Sequence, residues 1–215
     1  MTNANGNWLG TTETGDTRSL WHADEVNQRQ LDQYLSQIRI GDREAGPVLI
    51  AAYDESWPGR FQEQRARIKR ALGETALRID HIGSTSVPGL AAKPIIDVQV
   101  SVRDVDQDSL YVTPLEAAGY ILRIREPAHR LLRTPARDVH VHVWPAASGD
   151  ERRHLLFRDW LRQSRQDREA YEALKRKLAV QDWEDRQHYA EAKGPLIAEI
   201  MQRAEAWATA TGWST

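Results

Sequence analysis

Residues 95–102 alternate between apolar and polar side chains over the length of a strand. The even-numbered positions are isoleucine or valine, whereas the odd-numbered positions are Ile95, Asp97, Gln99 and Ser101. Because successive side chains of a strand point to opposite faces, this pattern predicts a strand with one face in a core. The chain must therefore build a sheet, and Asp97 lies on a rigid strand, on the face opposite the valines.

Other segments predict the elements around this strand. Apolar residues at helical spacing and flanking cap residues predict helices over residues 24–38, 56–72 and 105–118. Short apolar or alternating runs predict further strands at residues 48–53, 76–82, 120–125, 129–133 and 138–143.

The segment after Gly149 is helical in pattern. Its apolar spacing predicts helices around residues 156–161 and 171–178, and a third helix over 189–207 with a kink at Gly194-Pro195. Strands and helices followed by helices alone are typical of an α+β protein. We therefore predict a mixed β-sheet with flanking helices and a C-terminal helical bundle.

Composition suggests where the folded part begins. Residues 1–22 are rich in Asn, Thr and Gly and lack periodic apolar residues, so we predict a flexible N-terminal tail. We assign residues 23–148 to the core with its N-terminal helix, and residues 149–215 to a C-terminal helical region. The sequence does not indicate an oligomeric state.

Charge and cysteine content exclude several classes of protein. Lysine plus arginine total 29 against 31 acidic residues, a net charge of −2, so we expect no nucleic-acid partner. The sequence has no cysteine, which excludes disulfides, thiolate metal sites and cysteine nucleophiles. No apolar run approaches the roughly 18 residues of a membrane span, so we expect no membrane association and a cytoplasmic location.

The loop before the alternating strand is where we expect ligand chemistry. The backbone at Gly83, Ser84 and Thr85, together with the Ser84 hydroxyl, could hold phosphate oxygens. Lys93 would add a positive charge, and Asp97 could bind magnesium through a carboxylate oxygen. The alternative is that the glycines and prolines of this loop only build turns.

Histidines offer a second kind of metal ligand. His140 and His142 lie two residues apart on one predicted strand and so share a face. With His81 and Asp97 on other strands they could form a metal site, and imidazole favours zinc, manganese, iron or nickel over magnesium. Two alternatives stay open: hydrogen-bonded scaffolding, or a role for His142 in ligand contact or acid–base chemistry without metal.

Arginines are dense between residues 120 and 137. Among them we predict that Arg130 contacts an anionic ligand. The alternative is that these arginines form a solvated strand face. From the C-terminal helices, Tyr189 and Lys193 are predicted to contribute to the same cleft.

The run from His81 to Asp97 resembles the signature of the GrpB family of UPF0157-type proteins, a group within the nucleotidyltransferase superfamily. Shorter resemblances to the family's motifs lie at residues 53–58, 138–143, 157–162 and 189–193. Together they extend over residues 48–207. A gap near residues 127–129 is a departure, because family members often carry an insertion there.

This resemblance implies a nucleotidyltransferase-like core. In that superfamily a Gly-Ser turn holds a triphosphate, and two carboxylates spaced Asp-x-Asp on the next strand hold magnesium ions. Gly83 and Ser84 match the turn, and Asp97 matches the first carboxylate. The second carboxylate falls at Gln99, whose neutral amide would not sustain a two-metal site. We therefore predict a ligand contact for Gln99.

The resemblance implies metal-assisted transfer of a nucleotidyl or phosphoryl group from a nucleoside triphosphate to a small acceptor. Its cofactor would be Mg²⁺ or Mn²⁺, and its catalytic residues Ser84, Asp97 and His142. Gln99 motivates an alternative, a module that binds a nucleotide or another anionic small molecule without transfer. A histidine–aspartate metal-dependent hydrolase is the third hypothesis. Some relatives are fused to a dephospho-coenzyme A kinase, but this chain has no Gly-x-x-x-x-Gly-Lys loop.

Overall fold

The computed structural model describes residues 28–43 and 45–215, which form seven α-helices and five strands. The helices are α1 (Gln28–Ile38), α2 (Trp57–Leu72), α3 (Val112–Ala117), α4 (Gly149–Gln163), α5 (Arg165–Ala179), α6 (Arg186–Glu191) and α7 (Gly194–Thr211). The strands are β1 (Arg78–Ile82), β2 (Ile96–Val102), β3 (Ile121–Glu126), β4 (His129–Arg133) and β5 (Val139–Pro145). Single turns of 3-10 helix lie at Gly73–Thr75, Ser84–Ser86 and Asp108–Leu110.

The five strands form one mixed sheet in the order β1-β2-β5-β4-β3. The pair β2 and β5 is parallel, and the other three neighbouring pairs are antiparallel. In the parallel pair Asp97 lies opposite His140, and Gln99 lies opposite His142. The sheet therefore places residues from two distant segments side by side on one face.

The valine face of β2 builds the main core, as its alternation predicted. Ile96, Val98 and Val100 are fully buried and pack in one cluster with Ile68 of α2 and Leu115 of α3. Burying such a side chain stabilises the fold by about 1.5–3 kcal/mol relative to exposing it. This face of the sheet is consequently covered by helices and closed to ligands.

The C-terminal helices form a second core, which packs against the loop after β1. Leu156 of α4 and Ile200 of α7 lie in one buried cluster with Val87 and Leu90 of that loop. Arg162 of α4 also donates to the backbone carbonyl of Ser86, with Nη2 at 2.8 Å. The helices thus hold the loop on the polar face of the sheet.

Helix α1 covers the far edge of the sheet. Its residues Leu31, Leu35 and Ile38 are buried in a small cluster, against which Ile124 of β3 packs. Asp32 also accepts from His188 of α6, with its Oδ1 at 2.9 Å from Nε2. This helix therefore joins the sheet edge to the C-terminal helices.

The predicted fold class, α+β with a mixed sheet, flanking helices and C-terminal helices, is confirmed. The strand predicted at residues 48–53 is wrong. This segment makes one isolated bridge, in which Ala51 and Ala92 exchange two backbone hydrogen bonds of 2.9 Å. Its Val48 side chain is buried with Leu178 and Tyr189, so packing against helices explains the apolar run.

Two predicted helices differ in the structure. The helix predicted over 105–118 divides into a 3-10 turn and α3 at Tyr111, whose hydroxyl lies 2.5 Å from the Val105 carbonyl oxygen. The predicted third C-terminal helix is two helices, α6 and α7. Pro195 lies in the first turn of α7, where its missing N–H leaves no intrahelical bond unmade.

The start of the first predicted helix and the predicted tail at residues 1–22 lie outside the described residues. The boundaries at residues 23–148 and 149–215 stay predictions. Of the helices in the part of the chain that is described, none combines the length and the apolar character needed to cross a membrane.

Truncation of Leu156 tests the second core. Leu156 is 0% exposed, so Leu156→Ala should lower the free energy of unfolding by about 2–5 kcal/mol through lost contacts and a new cavity. Leu49, which is 68% exposed, provides the control, and Leu49→Ala should change stability by no more than about 0.5 kcal/mol. Urea denaturation measures both, and equal stability of the two variants would contradict the described packing.

Candidate metal and anion site

The loop after β1 turns sharply at Gly83, next to the carboxylate of Asp97. Gly83 has a φ of +68°, a conformation that residues with a side chain rarely adopt. A Cβ atom at this position would also collide with Asp97 Oδ2. The turn and the carboxylate therefore lie in contact, and this contact requires glycine.

Asp97, His140 and His142 come together on the polar face of the parallel strand pair. Asp97 Oδ1 lies 3.3 Å from His140 Nδ1 and 3.7 Å from His142 Nε2. One potential ligand atom from each residue lies within 4.8 Å of the other two. The three side chains are 20–27% exposed, so an ion from solvent can reach them.

The protonation states in this cluster suit a metal ion. Burial raises the pKa of Asp97, but the two imidazoles lower it by more, and the net pKa lies well below the usual range. Burial lowers the pKa of His140 despite the opposing effect of Asp97. An ionised carboxylate beside a neutral imidazole is the state in which these groups bind metal.

The structure does not bring His81 to this cluster. His81 lies opposite Val98 in the sheet, so it is on the core face, where its ring stacks on Phe61 at 4.7 Å. Its Nε2 is 3.0 Å from the Thr85 hydroxyl, which donates to the Ile95 carbonyl at 3.1 Å. Burial lowers the pKa of His81 to about 4. The side chains of His81 and Thr85 therefore stabilise the loop and are not part of the Asp97–His140–His142 cluster.

A buried lysine contacts the loop from the C-terminal helices. Lys175 of α5 is 2% exposed, and its Nζ lies 3.1 Å from Ser84 Oγ and donates to the Ala91 carbonyl. Its ammonium group also lies 4.8 Å from the centre of the Tyr171 ring. Burial, together with the smaller effect of the nearby charge of Lys193, lowers the pKa of Lys175 to about 7.

Lys93 and Lys193 lie next to the ring of Tyr189. Their Nζ atoms lie 5.0 and 4.8 Å from the ring centre of Tyr189, and both lysines interact with the charge of Asp97. Burial lowers the pKa of each to about 8. Among the residues that the structure describes, neither these lysines nor Lys175 has a carboxylate at salt-bridge distance. The site therefore presents positive charge that a bound anion would neutralise.

Gln99 is buried under α4. It is 0% exposed, its Nε2 donates to the Glu151 carbonyl at 3.2 Å, and its Oε1 has no partner in the described part of the chain. The next residue on this face, Ser101, hydrogen-bonds the Glu151 carboxylate. The position of the second carboxylate is thus covered by a helix, and Gln99 cannot reach a ligand while α4 stays in place.

These residues do not fit a pair of magnesium ions. Such a pair needs carboxylates on both ions, and Mg²⁺ prefers octahedral oxygen ligands. The cluster offers one carboxylate and two imidazoles, which suit a single transition-metal ion. Of the two cofactors predicted above, Mn²⁺ fits this donor set and Mg²⁺ does not.

Arg130 lies on the opposite face of the sheet. It pairs with Val143, is buried, and donates to Asp108 Oδ1 at 3.0 Å and to the Glu126 carbonyl at 2.7 Å. The structure therefore leaves Arg130 out of the site. The arginine on the face of the cluster is Arg133, which pairs with His140.

Sequence analysis missed Lys175 and a pair of residues behind His142, Glu126 and His129. Lys175 follows Tyr171 by four residues in the apolar stripe of α5, and a charged residue in such a stripe is unusual enough to note. Glu126 and His129 flank the turn between β3 and β4. Nothing in their local sequence indicates that Glu126 contacts His129 and that His129 in turn contacts His142 of β5.

The fold and the site define an α+β protein with a five-stranded mixed sheet that carries a cluster of one carboxylate and two imidazoles, near buried lysines, beside its parallel strand pair. The sequence model of the family described as GrpB protein matches residues 47–203. The chain belongs to the GrpB family, as its motifs indicated.

Individual relatives support this assignment. A UPF0157 protein of Streptomyces coelicolor is 48% identical over 167 residues, which cover 78% of this chain and 89% of that protein. A UPF0157 protein of Halalkalibacterium halodurans is 43% identical over 180 residues, which cover 81% and 92%. The crystal structure of the conserved protein GrpB from Enterococcus faecalis superposes with a TM-score of 0.63 at 32% identity. It covers 74% of this chain and 99% of that one.

Substitution of Gly83 tests the contact with Asp97. In Gly83→Ala the new Cβ should displace the carboxylate and weaken Mn²⁺ binding by about 10–100-fold, as changes next to metal ligands commonly do. Gly59→Ala is the matched control, because a Cβ at Gly59 meets no atom within 4 Å. Titration calorimetry measures both affinities. Equal affinities in the two variants would show that Asp97 does not depend on this turn.

Proposed function

We propose that the protein binds a nucleoside triphosphate or a similar polyphosphate at the Gly83–Ser84 turn and transfers its nucleotidyl or phosphoryl group to a small acceptor. The observation that supports this most directly is the buried Lys175 ammonium 3.1 Å from Ser84 Oγ, in contact with the turn that also touches Asp97. A buried lysine without a carboxylate at salt-bridge distance is costly, and an anionic ligand would offset that cost.

The residues around the turn have distinct roles in this proposal. An ammonium group only donates hydrogen bonds, so Ser84 Oγ accepts from Lys175 and keeps its own proton as a donor. Lys93 and Lys193 would neutralise charge on the phosphate oxygens from the side of Tyr189. Because packed helices hold these groups in place before the ligand arrives, they need little rearrangement to bind it.

The transfer step itself needs no covalent enzyme intermediate. For nucleotidyl transfer, an acceptor oxygen forms a bond to the α-phosphorus while the bond to the bridging oxygen breaks, pyrophosphate leaves, and the acceptor proton passes to water. Asp97, His140 and His142 would hold one divalent ion, which supplies Lewis-acid stabilisation when bound. In this arrangement His142 would serve as a metal ligand and not as the acid–base group of the alternative hypothesis.

A second candidate function is nucleotide or anion binding without transfer. The burial of Gln99 beneath α4 favours it, because the superfamily's second carboxylate is missing and α4 covers its position.

Product analysis separates the two functions. Each of the four nucleoside triphosphates is incubated with protein and Mn²⁺, quenched with chelator and resolved by anion-exchange chromatography.

The products assign the reaction. Nucleoside monophosphate with pyrophosphate indicates nucleotidyl transfer, here to water, and nucleoside diphosphate with phosphate indicates phosphoryl transfer or hydrolysis. Binding by calorimetry with no product would support the binding module. No binding of any of the four triphosphates would overturn the proposal.

Replacement of Lys175 tests the anion site. Lys175→Met keeps most of the side-chain volume but removes the charge and the donor to Ser84, so ATP affinity should fall by about 10–100-fold. Lys177→Met, on the exposed side of the same helix, should leave affinity unchanged. Calorimetric titration compares the two, and an equal affinity would show that the ligand does not bind near Ser84.

The pH dependence of binding provides an independent test. Lys175, with its pKa lowered to about 7 by burial, is mostly neutral at pH 8, and a bound polyphosphate would raise that pKa. ATP binding should therefore take up protons at pH 8 but few at pH 6, where this lysine is already charged, and affinity should fall as pH rises through 7. Calorimetry in buffers of different ionisation enthalpy measures the uptake. Lys175→Met should reduce it, and Lys93 and Lys193 should account for the remainder.

A further inference from the structure

We propose that Glu126 and His129 position His142 for a single transition-metal ion, bound by Asp97 Oδ1, His140 Nδ1 and His142 Nε2. The inference rests on the metal half of the proposed function and is independent of its nucleotide half. Glu126 and His129 would contact neither the ion nor the ligand directly, and would act through His142.

A continuous row of hydrogen bonds leads from helix α1 to the metal cluster. The Tyr34 hydroxyl donates to Glu126 Oε2, and Glu126 Oε1 lies 2.5 Å from His129 Nδ1. His129 Nε2 lies 3.2 Å from His142 Nδ1. The row ends at His142 Nε2, which faces Asp97 Oδ1 at 3.7 Å.

Packing holds the middle of this row rigidly. The His129 ring is stacked on Trp144 at 3.9 Å between ring centres, with an angle of 12° between the planes. It also lies nearly parallel to the His142 ring, at 5.4 Å and 11°. His129 is itself buried. Neither ring can therefore turn over without disrupting the stack.

The direction of these hydrogen bonds fixes where the protons lie. An ionised Glu126 can only accept hydrogen bonds, so both Tyr34 and His129 donate to it. In a neutral His129 the proton is therefore on Nδ1, and Nε2 is an acceptor. A neutral His142 then donates from Nδ1 to that acceptor, and its Nε2 carries the lone pair. This lone pair faces Asp97 Oδ1 at 3.7 Å, and a cation bound between the two atoms would be held by both.

The distances favour a metal ion over a proton as that cation. A separation of 3.7 Å is too long for an N–H···O hydrogen bond. Two ligand atoms bonded to one ion at about 2.1 Å lie roughly 3.4 Å apart at tetrahedral angles. The observed separations from Asp97 Oδ1, 3.3 Å to His140 and 3.7 Å to His142, bracket this value.

The arrangement also indicates which ions should bind. Two imidazoles and one carboxylate favour ions such as Zn²⁺, Co²⁺ and Mn²⁺ over Mg²⁺. A carboxylate behind a ligating histidine raises the basicity of the imidazole and fixes its ring, and losing such a partner commonly costs 10–100-fold in metal affinity. Glu126 has this relation to His142 through one intervening ring.

The test measures Co²⁺ binding to tag-free, metal-free protein without any nucleotide. The wild type should bind one Co²⁺ with visible absorption bands, and about a 100-fold excess of Mg²⁺ should not displace it. Glu126→Ala should lower Co²⁺ affinity by about 10–100-fold, whereas Glu126→Gln, which keeps an acceptor for His129, should retain most of it. Glu116→Gln, at an exposed glutamate of α3, is the matched control.

A second measurement separates positioning from a general loss of structure. Long-range ¹H–¹⁵N correlation spectra of the metal-free protein should show the His142 proton on Nδ1 in the wild type and in Glu126→Gln. In Glu126→Ala the proton should distribute over both nitrogens. A doubly protonated His142, preferential Mg²⁺ binding, or equal Co²⁺ affinity in Glu126→Ala and Glu116→Gln would overturn the inference. Because no nucleotide is used, failure of the transfer proposal alone would leave these results unchanged.

Discussion

The parallel pairing of β2 with β5 is the constraint on which the site depends. Strands β2 and β5 are neighbours in the sheet, but a helix and two strands separate them in sequence. Their pairing brings Asp97 opposite His140 and Gln99 opposite His142. Parallel neighbours of this kind need a crossover connection, and here the connection includes α3, β3 and β4. A shift of β5 by one residue against β2 would move His140 and His142 to the valine face and away from Asp97. Packing of Ile96, Val98 and Val100 in the core therefore also determines which residues can meet Asp97 on the polar face.

The second constraint is electrostatic and comes from the C-terminal helices. Helix α4 covers Gln99 and Ser101 on the polar face and leaves Asp97, nearer the start of β2, partly exposed. The helices also bring Lys175 and Lys193 to that end of the strand, where desolvation lowers the pKa of both ammonium groups. Positive charge held in a low-dielectric position next to one ionised carboxylate is poorly stabilised by the protein alone. A phosphate-bearing ligand and a divalent ion would complete the charge balance, which is why we regard the two as parts of one site.

Much of the fold could be predicted because its elements follow local rules. The alternation of residues 95–102 predicted a strand close to the observed β2. The proline near the start of α2 and the glycine that follows its end predicted that helix with nearly its observed bounds. The apolar run at residues 48–53 did not, because an apolar run fits a helix-packed segment as well as a strand. In the same way, the apolar spacing over 105–118 could not show that Tyr111 would interrupt the helix through a hydrogen bond to Val105. Local patterns establish that residues are buried, and tertiary contacts decide what they are buried against.

For the site, the sequence by itself determined which residues share a strand and a face. The two-residue period of a strand placed His140 beside His142, and the Gly-Ser turn placed Gly83 shortly before Asp97. Only the tertiary structure decided which faces meet: it put His81 and Arg130 on the core face, and it brought Lys175, Glu126 and His129 from distant segments to the cluster. The physical reason is that strand period and turn chemistry act over a few residues. Register between strands and helix packing are instead set by the burial of the whole apolar surface.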